Sequence, residues 1–188
     1  MPQEKIRCPW VDTSKEDYVA YHDTEWGVPT RDDQTIFEFL VLESAQAGLS
    51  WYTILKKRDN YRQAFSNFQP DVVAQFNEED VARLMENAGI VRNRRKIEAA
   101  INNAKRFLEV QAEFGQFSDY IWGFVNQKTI VHHIETAADY PVTTPESDAL
   151  AKDMKKRGFK FLGSTTLYAH MQATGMVNDH SVNCFCRS

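Results

Sequence analysis

The stretch LMENAGIVRNRRKIEAAI, residues 84–101, reads as the end of one helix, a hairpin containing Gly89, and the start of a second helix. The second helix opens on Arg92, Arg94, Arg95 and Lys96, although cations at a helix N-terminus oppose the macrodipole. A bound anion resolves that conflict, because unpaired backbone N–H groups and arginines together form a phosphate site. The alternative is a solvated basic turn.

Outward from the hairpin the pattern is helical on both sides. Downstream, RRKIEAAINNAKRFLEVQAEF (94–114) repeats apolar residues at Ile97, Ala100, Ile101, Ala104, Phe107 and Leu108, the spacing of one helix face. Upstream, Asn77 and Asp80 begin a helix in a form close to a capping box. Earlier still, Asp32 or Asp33 caps a segment that stops at Gly48, Ser50 caps the next, and Pro70 opens a short turn. Two more helices follow Pro145 and Gly163, each closed by a glycine. QKTIVHHIETAADYPVTTP (127–145) is the least helical part, with the one strand-like run and two prolines, and is expected to be an irregular crossover. The fold class is therefore all-α, without repeats or linkers, and residues 1–188 are expected to form a single compact unit.

At 188 residues with net charge −4, the chain can bury a core without a metal, and its overall charge does not itself attract nucleic acid. No apolar run approaches the roughly 18 residues of a membrane span, and the first residues lack a signal-peptide pattern. A cytoplasmic protein is expected. Three cysteines, Cys8, Cys184 and Cys186, make a poor disulfide framework and a plausible source of thiolate ligands. His180 and Cys184 share one helical turn, and Cys8 with His22 supplies a second pair, so that the four complete the closed tetrahedral set that zinc occupies structurally. One ion there would tie the two ends of the chain together. Cys186 either substitutes for Cys184 or is idle. His132, His133 and His170 read as structural or solvated.

A closed metal site leaves no position for reacting water, so chemistry is sought elsewhere. In the stripe Ile36, Leu40, Glu43, Ala47 a carboxylate takes a slot whose neighbours predict burial. An isolated buried charge is costly, and a satisfied structural acid is the plain alternative. Tyr18, Tyr21, Trp26, Trp51 and Tyr52 cluster around it in sequence, and an aromatic pocket with one acceptor suits a flat base carrying an exocyclic amine. A second basic cluster comprises Lys152, Lys155, Lys156, Arg157 and Lys160.

Five blocks, YHDTEWGVP (21–29), ESAQAGLSWYTILKKR (43–58), AGIVRNRRKI (88–97), KKRGFKFLG (155–163) and VNDHSVNC (177–184), closely resemble the DNA-3-methyladenine glycosylase I family of the helix-hairpin-helix DNA glycosylase superfamily. The resemblance spans nearly the whole chain. It implies a monofunctional glycosylase that flips 3-methyladenine out of double-stranded alkylated DNA and hydrolyses its N-glycosidic bond, in base-excision repair. It further implies a helix-hairpin-helix near 78–108 and a lobe of the two termini clamped by one structural zinc on Cys8, His22, His180 and Cys184. Glu43 would hydrogen-bond the base, Tyr21 and Trp51 would contact or stack on it, and Trp26 would shape the pocket. Gly89, Val91, Arg92, Asn93 and Arg95 would hold the DNA backbone.

The superfamily's Gly-Pro-Gly hairpin and downstream catalytic aspartate are absent here, and Asp119 reads as a cap or structural acid. No lysine is positioned as a Schiff-base nucleophile, so lyase activity is not expected. A monomer suffices for a small enzyme acting on one lesion. Two rival readings are a zinc-clamped DNA binder without catalysis and a hydrolase with an open zinc position.

Overall fold

The computed structural model describes residues 4–188, so the first three residues of the expected unit lie outside it. Among the described residues nine α-helices carry the fold: α1 Glu16–Thr24, α2 Asp33–Gln46, α3 Trp51–Ala64, α4 Pro70–Val73, α5 Glu78–Met85, α6 Arg94–Phe114, α7 Phe117–Trp122, α8 Pro145–Lys156 and α9 Ser164–Ala173. The caps explain the boundaries. Asp32 accepts from the Thr35 N–H, Ser50 from Thr53, and Asn77 with Asp80 forms a reciprocal capping box. Asp33 does more than start α2: its carboxylate accepts from the Phe117 and Ser118 N–H groups at 2.7 and 2.8 Å, fastening α7 to α2.

Helix α2 is the central element. Ten of its residues, Ile36 through Ala45, are buried, and it packs against α3, α6, α7 and α9. One apolar cluster built on α2, α3, α6, α7 and α9 forms the body, with Phe37, Phe107, Ile121 and Leu167 fully enclosed. A smaller cluster gathers Cys8, Tyr21, Trp26, Phe39, Ala173 and Cys184 where the two ends of the chain meet. The stripe containing Glu43 is buried as expected except at Ala47, which is exposed because α2 ends at Gln46 and Ala47 has already left helical ψ, at 118°.

The crossover does contain strand, though very little. Ile130–Val131 (β1) pairs in parallel with Val177–Asn178 (β2), and an isolated bridge joins Ile134 to Ser181. This short ladder carries the segment after α9 back along the crossover and delivers His180 and Cys184 to the N-terminal residues. Among the described residues no helix is long and apolar enough to cross a membrane.

Candidate active site and metal centre

Cys8, His22, His180 and Cys184 are all buried, and their ligating atoms lie within 4.8 Å of one another. The Cys8 Sγ is 3.4 Å from His180 Nδ1, and the Cys184 Sγ is 3.5 Å from both His180 Nδ1 and His22 Nε2. A tetrahedral zinc with bonds of about 2.3 Å to sulfur and 2.0–2.1 Å to nitrogen has S···N edges of about 3.5 Å, so the donor set fits that ion. The surrounding bonds select the tautomers that ligation needs. His22 donates from Nδ1 to Asp23 at 2.8 Å, and Arg7 in turn grips Asp23 through Nε and Nη2. His180 donates from Nε2 to the Trp26 carbonyl at 3.0 Å. Each ring therefore turns its free lone pair inward. Gly27 is required here: its φ is +78°, and a Cβ would lie 2.9 Å from His180 Nε2.

Cys186 is not one of these four; it lies half-buried beside His22 and Asp23. Of the three remaining histidines, His132 donates to the buried Asp179, His133 is exposed beside Glu135, and His170, whose ring nitrogens have no hydrogen-bond partner among the described residues, is fully enclosed, and that burial pushes its pKa down to about 3.

Next to these four residues lies a cavity of about 540 Å³, whose walls include Trp10, Tyr21, Trp26, Glu43, Trp51 and Tyr140. Helix α1 supplies Tyr21, α2 supplies Glu43 and α3 supplies Trp51, so three elements of the sequence reading converge on one space. The Trp51 ring lies between Tyr21 and Phe39, at centroid distances of 5.6 and 6.2 Å, and Trp10 meets Trp26 edge-on at 4.9 Å. Glu43 is only 5% exposed. Burial alone raises its carboxyl from the ordinary 4.5 to about 8, because the charged form loses its hydration and gains no cation in return. At neutral pH the group is chiefly the neutral acid, able to donate and to accept.

Residues outside the sequence reading complete the wall. Trp10 follows the candidate ligand Cys8 by two positions, a placement that could have marked it. Ala137, Tyr140, Pro141 and Val142 come from the crossover, and Gln172 from α9. The Trp10 and Trp51 indole N–H groups and the Tyr140 hydroxyl are buried without a partner among the described residues.

The hairpin is tied to the helix that bears Glu43. Lys96, in the first turn of α6, donates to the carbonyls of Ala45 and Ala47 at 3.1 and 2.7 Å, covering the C-terminal end of the helix that holds Glu43. Gly89 packs so closely on α3 that a Cβ would lie 2.9 Å from Asn60 Cγ. Its N–H donates to Asn87 Oδ1, the Val91 N–H donates to the Tyr61 hydroxyl, and Asn93 caps α6 by accepting from Lys96 N–H.

The cationic turn is thus less free than its composition suggests. Arg94 pairs with Glu78 and Glu98, and Lys96 points inward, whereas Arg92 and Arg95 are exposed and form no ion pair among the described residues. In the second basic cluster Arg157 is likewise engaged, by Asp153 and Glu113.

The sequence model of the methyladenine glycosylase family matches residues 10–187. The chain is 51% identical over 180 residues to DNA-3-methyladenine glycosylase 1 of Escherichia coli (strain K12), covering 96% of each chain. It is also similar to a crystal structure of 3-methyladenine DNA glycosylase I, with a TM-score of 0.94 and 49% identity over 97% of this chain and 100% of that one. A structure of the Staphylococcus aureus 3-methyladenine DNA glycosylase I, which recognises 3-methyladenine, matches with a TM-score of 0.90 and 40% identity over 93% of both chains.

Proposed function

The chain belongs to the methyladenine glycosylase family, and from that premise we propose that it releases 3-methyladenine from double-stranded alkylated DNA, hydrolysing the N-glycosidic bond in base-excision repair. The observation that carries this reading is Glu43, a carboxyl without a charged partner among the described residues, at the wall of an aromatic cavity large enough to admit a nucleobase.

Methylation at N3 makes the purine cationic, so the base departs as a neutral molecule without being protonated first. The site must then extrude the nucleotide, recognise the base and ease the development of positive charge on the sugar. Extrusion costs a few kcal/mol, least for a damaged base, and stacking returns about 1–3 kcal/mol per base. Trp51 and Tyr21 are the stacking groups, and both add cation–π attraction for the charged purine. Trp26 bounds the pocket. Glu43 accepts from an N–H of the base. A cation drawn against it favours the ionised carboxylate, so the site gains more from a methylated purine than from a neutral one. The action is monofunctional, no lysine being offered as a Schiff-base nucleophile.

The four metal-binding residues would hold one structural zinc, which supplies cross-linking rather than chemistry. By joining Cys8 and His22 to His180 and Cys184 it would keep the wall bearing Trp10, Tyr21 and Trp26 against α2. The helix-hairpin-helix near 78–108 would grip the DNA backbone through Gly89, Val91, Arg92, Asn93 and Arg95, the exposed arginines Arg92 and Arg95 supplying the charge. Residues 1–188 act as a single unit, a cytoplasmic monomer.

The test is release of free base from DNA carrying N3-methyladenine, with the parent protein and Glu43→Ala compared side by side. Release by the parent and its loss in the variant, with binding to undamaged duplex retained, is the expected result. No release by folded, zinc-loaded parent would overturn the glycosylase reading, and equal loss of release and duplex binding would remove Glu43 from its role.

A further inference from the structure

We propose that Phe161, with Lys160 and Arg95, forms a second contact with the DNA backbone beside the hairpin; this rests on the reading above that duplex DNA is the partner. The starting point is backbone conformation. Phe161 has φ +58°, a region that bulky L-residues rarely enter. Five other non-glycine residues share positive φ among the described residues, and each has a local reason. Ser66 to Phe68 form one left-handed turn that places Phe68 in the core, at 1% exposure. Asn126 is a residue type that tolerates the region, and Gln127 grips Arg31 through its carbonyls. Phe161 instead holds an aromatic side chain outward, 41% exposed.

That placement is enforced by the long helix of the hairpin motif. Asn103, on α6 and buried, clamps Lys160 from both sides: its Nδ2 donates to the Lys160 carbonyl and its Oδ1 accepts from the Lys160 N–H, each at 2.8 Å. Asn102 donates to the Gly158 carbonyl at 2.9 Å. Phe159 and Leu162 anchor the loop by burial on either side. The clamp leaves Lys160 and Phe161 projecting, and the Arg95 guanidinium lies 5.9 Å from the Phe161 ring centroid. Neither Arg95 nor Lys160 forms an ion pair among the described residues.

An exposed aromatic flanked by two unpaired cations, fixed in place by the helix whose Lys96 caps the pocket-bearing α2, complements a sugar-phosphate backbone. The cations meet phosphates and the ring packs on a deoxyribose or an unstacked base. Held by that clamp, the strained backbone presents the ring at the surface, where a DNA contact would make use of it.

The test uses full-length, zinc-loaded protein and anisotropy titrations of a labelled undamaged duplex over a range of salt, with base release measured in parallel. Phe161→Asn, which suits the left-handed region, is expected to weaken duplex binding about five- to tenfold at every salt concentration. Lys160→Gln is expected to reduce the slope of log affinity against log salt by about one. Phe161→Tyr should bind as the parent does, and free 3-methyladenine should bind all variants equally. Should Phe161→Asn misfold, Phe161→Gly, free of the strain, carries the same expectation. Unchanged duplex affinity in a folded Phe161 variant would overturn the proposal. Weakened duplex binding with no base release by the parent would leave the proposal standing and remove the glycosylase reading instead.

Discussion

Replacing Glu43 by glutamine should make this protein more stable while disabling it. The carboxyl titrates near 4.5 when exposed and about 8 in the fold. A carboxyl whose pKa rises on folding stabilises the fold only in its protonated form. Below about pH 4.5 both states bind the proton and nothing is lost. Between 4.5 and 8 the unfolded chain sheds the proton while the folded chain retains it, so stability declines by about 1.4 kcal/mol per pH unit. At pH 7, 2.5 units into that window, the loss is roughly 3 kcal/mol, and by pH 8 it nears roughly 5 kcal/mol. Glutamine has the shape of the neutral acid and no such dependence. Glu43→Gln should therefore match the parent near pH 4.5 and exceed it at pH 7 by about 8 °C in melting temperature for a chain of this size. Parallel melts from pH 4.5 to 8 suffice, since other titrating groups cancel in the difference. A difference that stays flat across this range would refute the reasoning, because it would mean that the carboxyl is not held neutral by burial.

Other substitutions test separate parts. Cys184→Ser should lose its zinc, measured by metal analysis, and melt about 10 °C lower; a chelator should produce the same fall in the parent and none in the variant. Trp51→Ala should weaken binding of free 3-methyladenine by the equivalent of about 1–3 kcal/mol in calorimetry, with duplex affinity retained. Tyr61→Phe removes the hydroxyl that receives the Val91 N–H and should cost about 1–3 kcal/mol in urea unfolding, together with lower duplex affinity as the hairpin loosens.

The helices that were legible are written twice, in periodicity and in caps: Asp32, Ser50 and the Asn77–Asp80 box all act where their chemistry predicts, whereas α1, which has no side-chain cap, was not legible as a helix. Glu43 was legible because a carboxyl breaks an apolar stripe. The candidate metal set was legible because its four residues, two cysteines and two histidines, lie in two pairs along the chain, although only the fold brings Cys8 to His180. The β1–β2 pairing was not legible as a ladder, since two-residue strands carry no alternation and their partners are 47 residues apart, as in Ile130 opposite Val177. For the same reason the crossover gave no sign that Tyr140 and Val142 wall the cavity. Charge was over-read: Arg94, Lys96 and Arg157 look free in sequence, but each finds a partner that lies outside its own helical turn.

The cluster of Cys8, His22, His180 and Cys184 joins atoms 172 positions apart along the chain. A metal held there would turn an open chain into a near-complete ring, at a loop-closure cost that grows only slowly with the length enclosed. Trp10, Tyr21 and Trp26 all belong to the segment this closure draws in. Cutting that ring would release the wall that bears Trp10, Tyr21 and Trp26, so the proposed base binding would report whether the two ends of the chain are still joined.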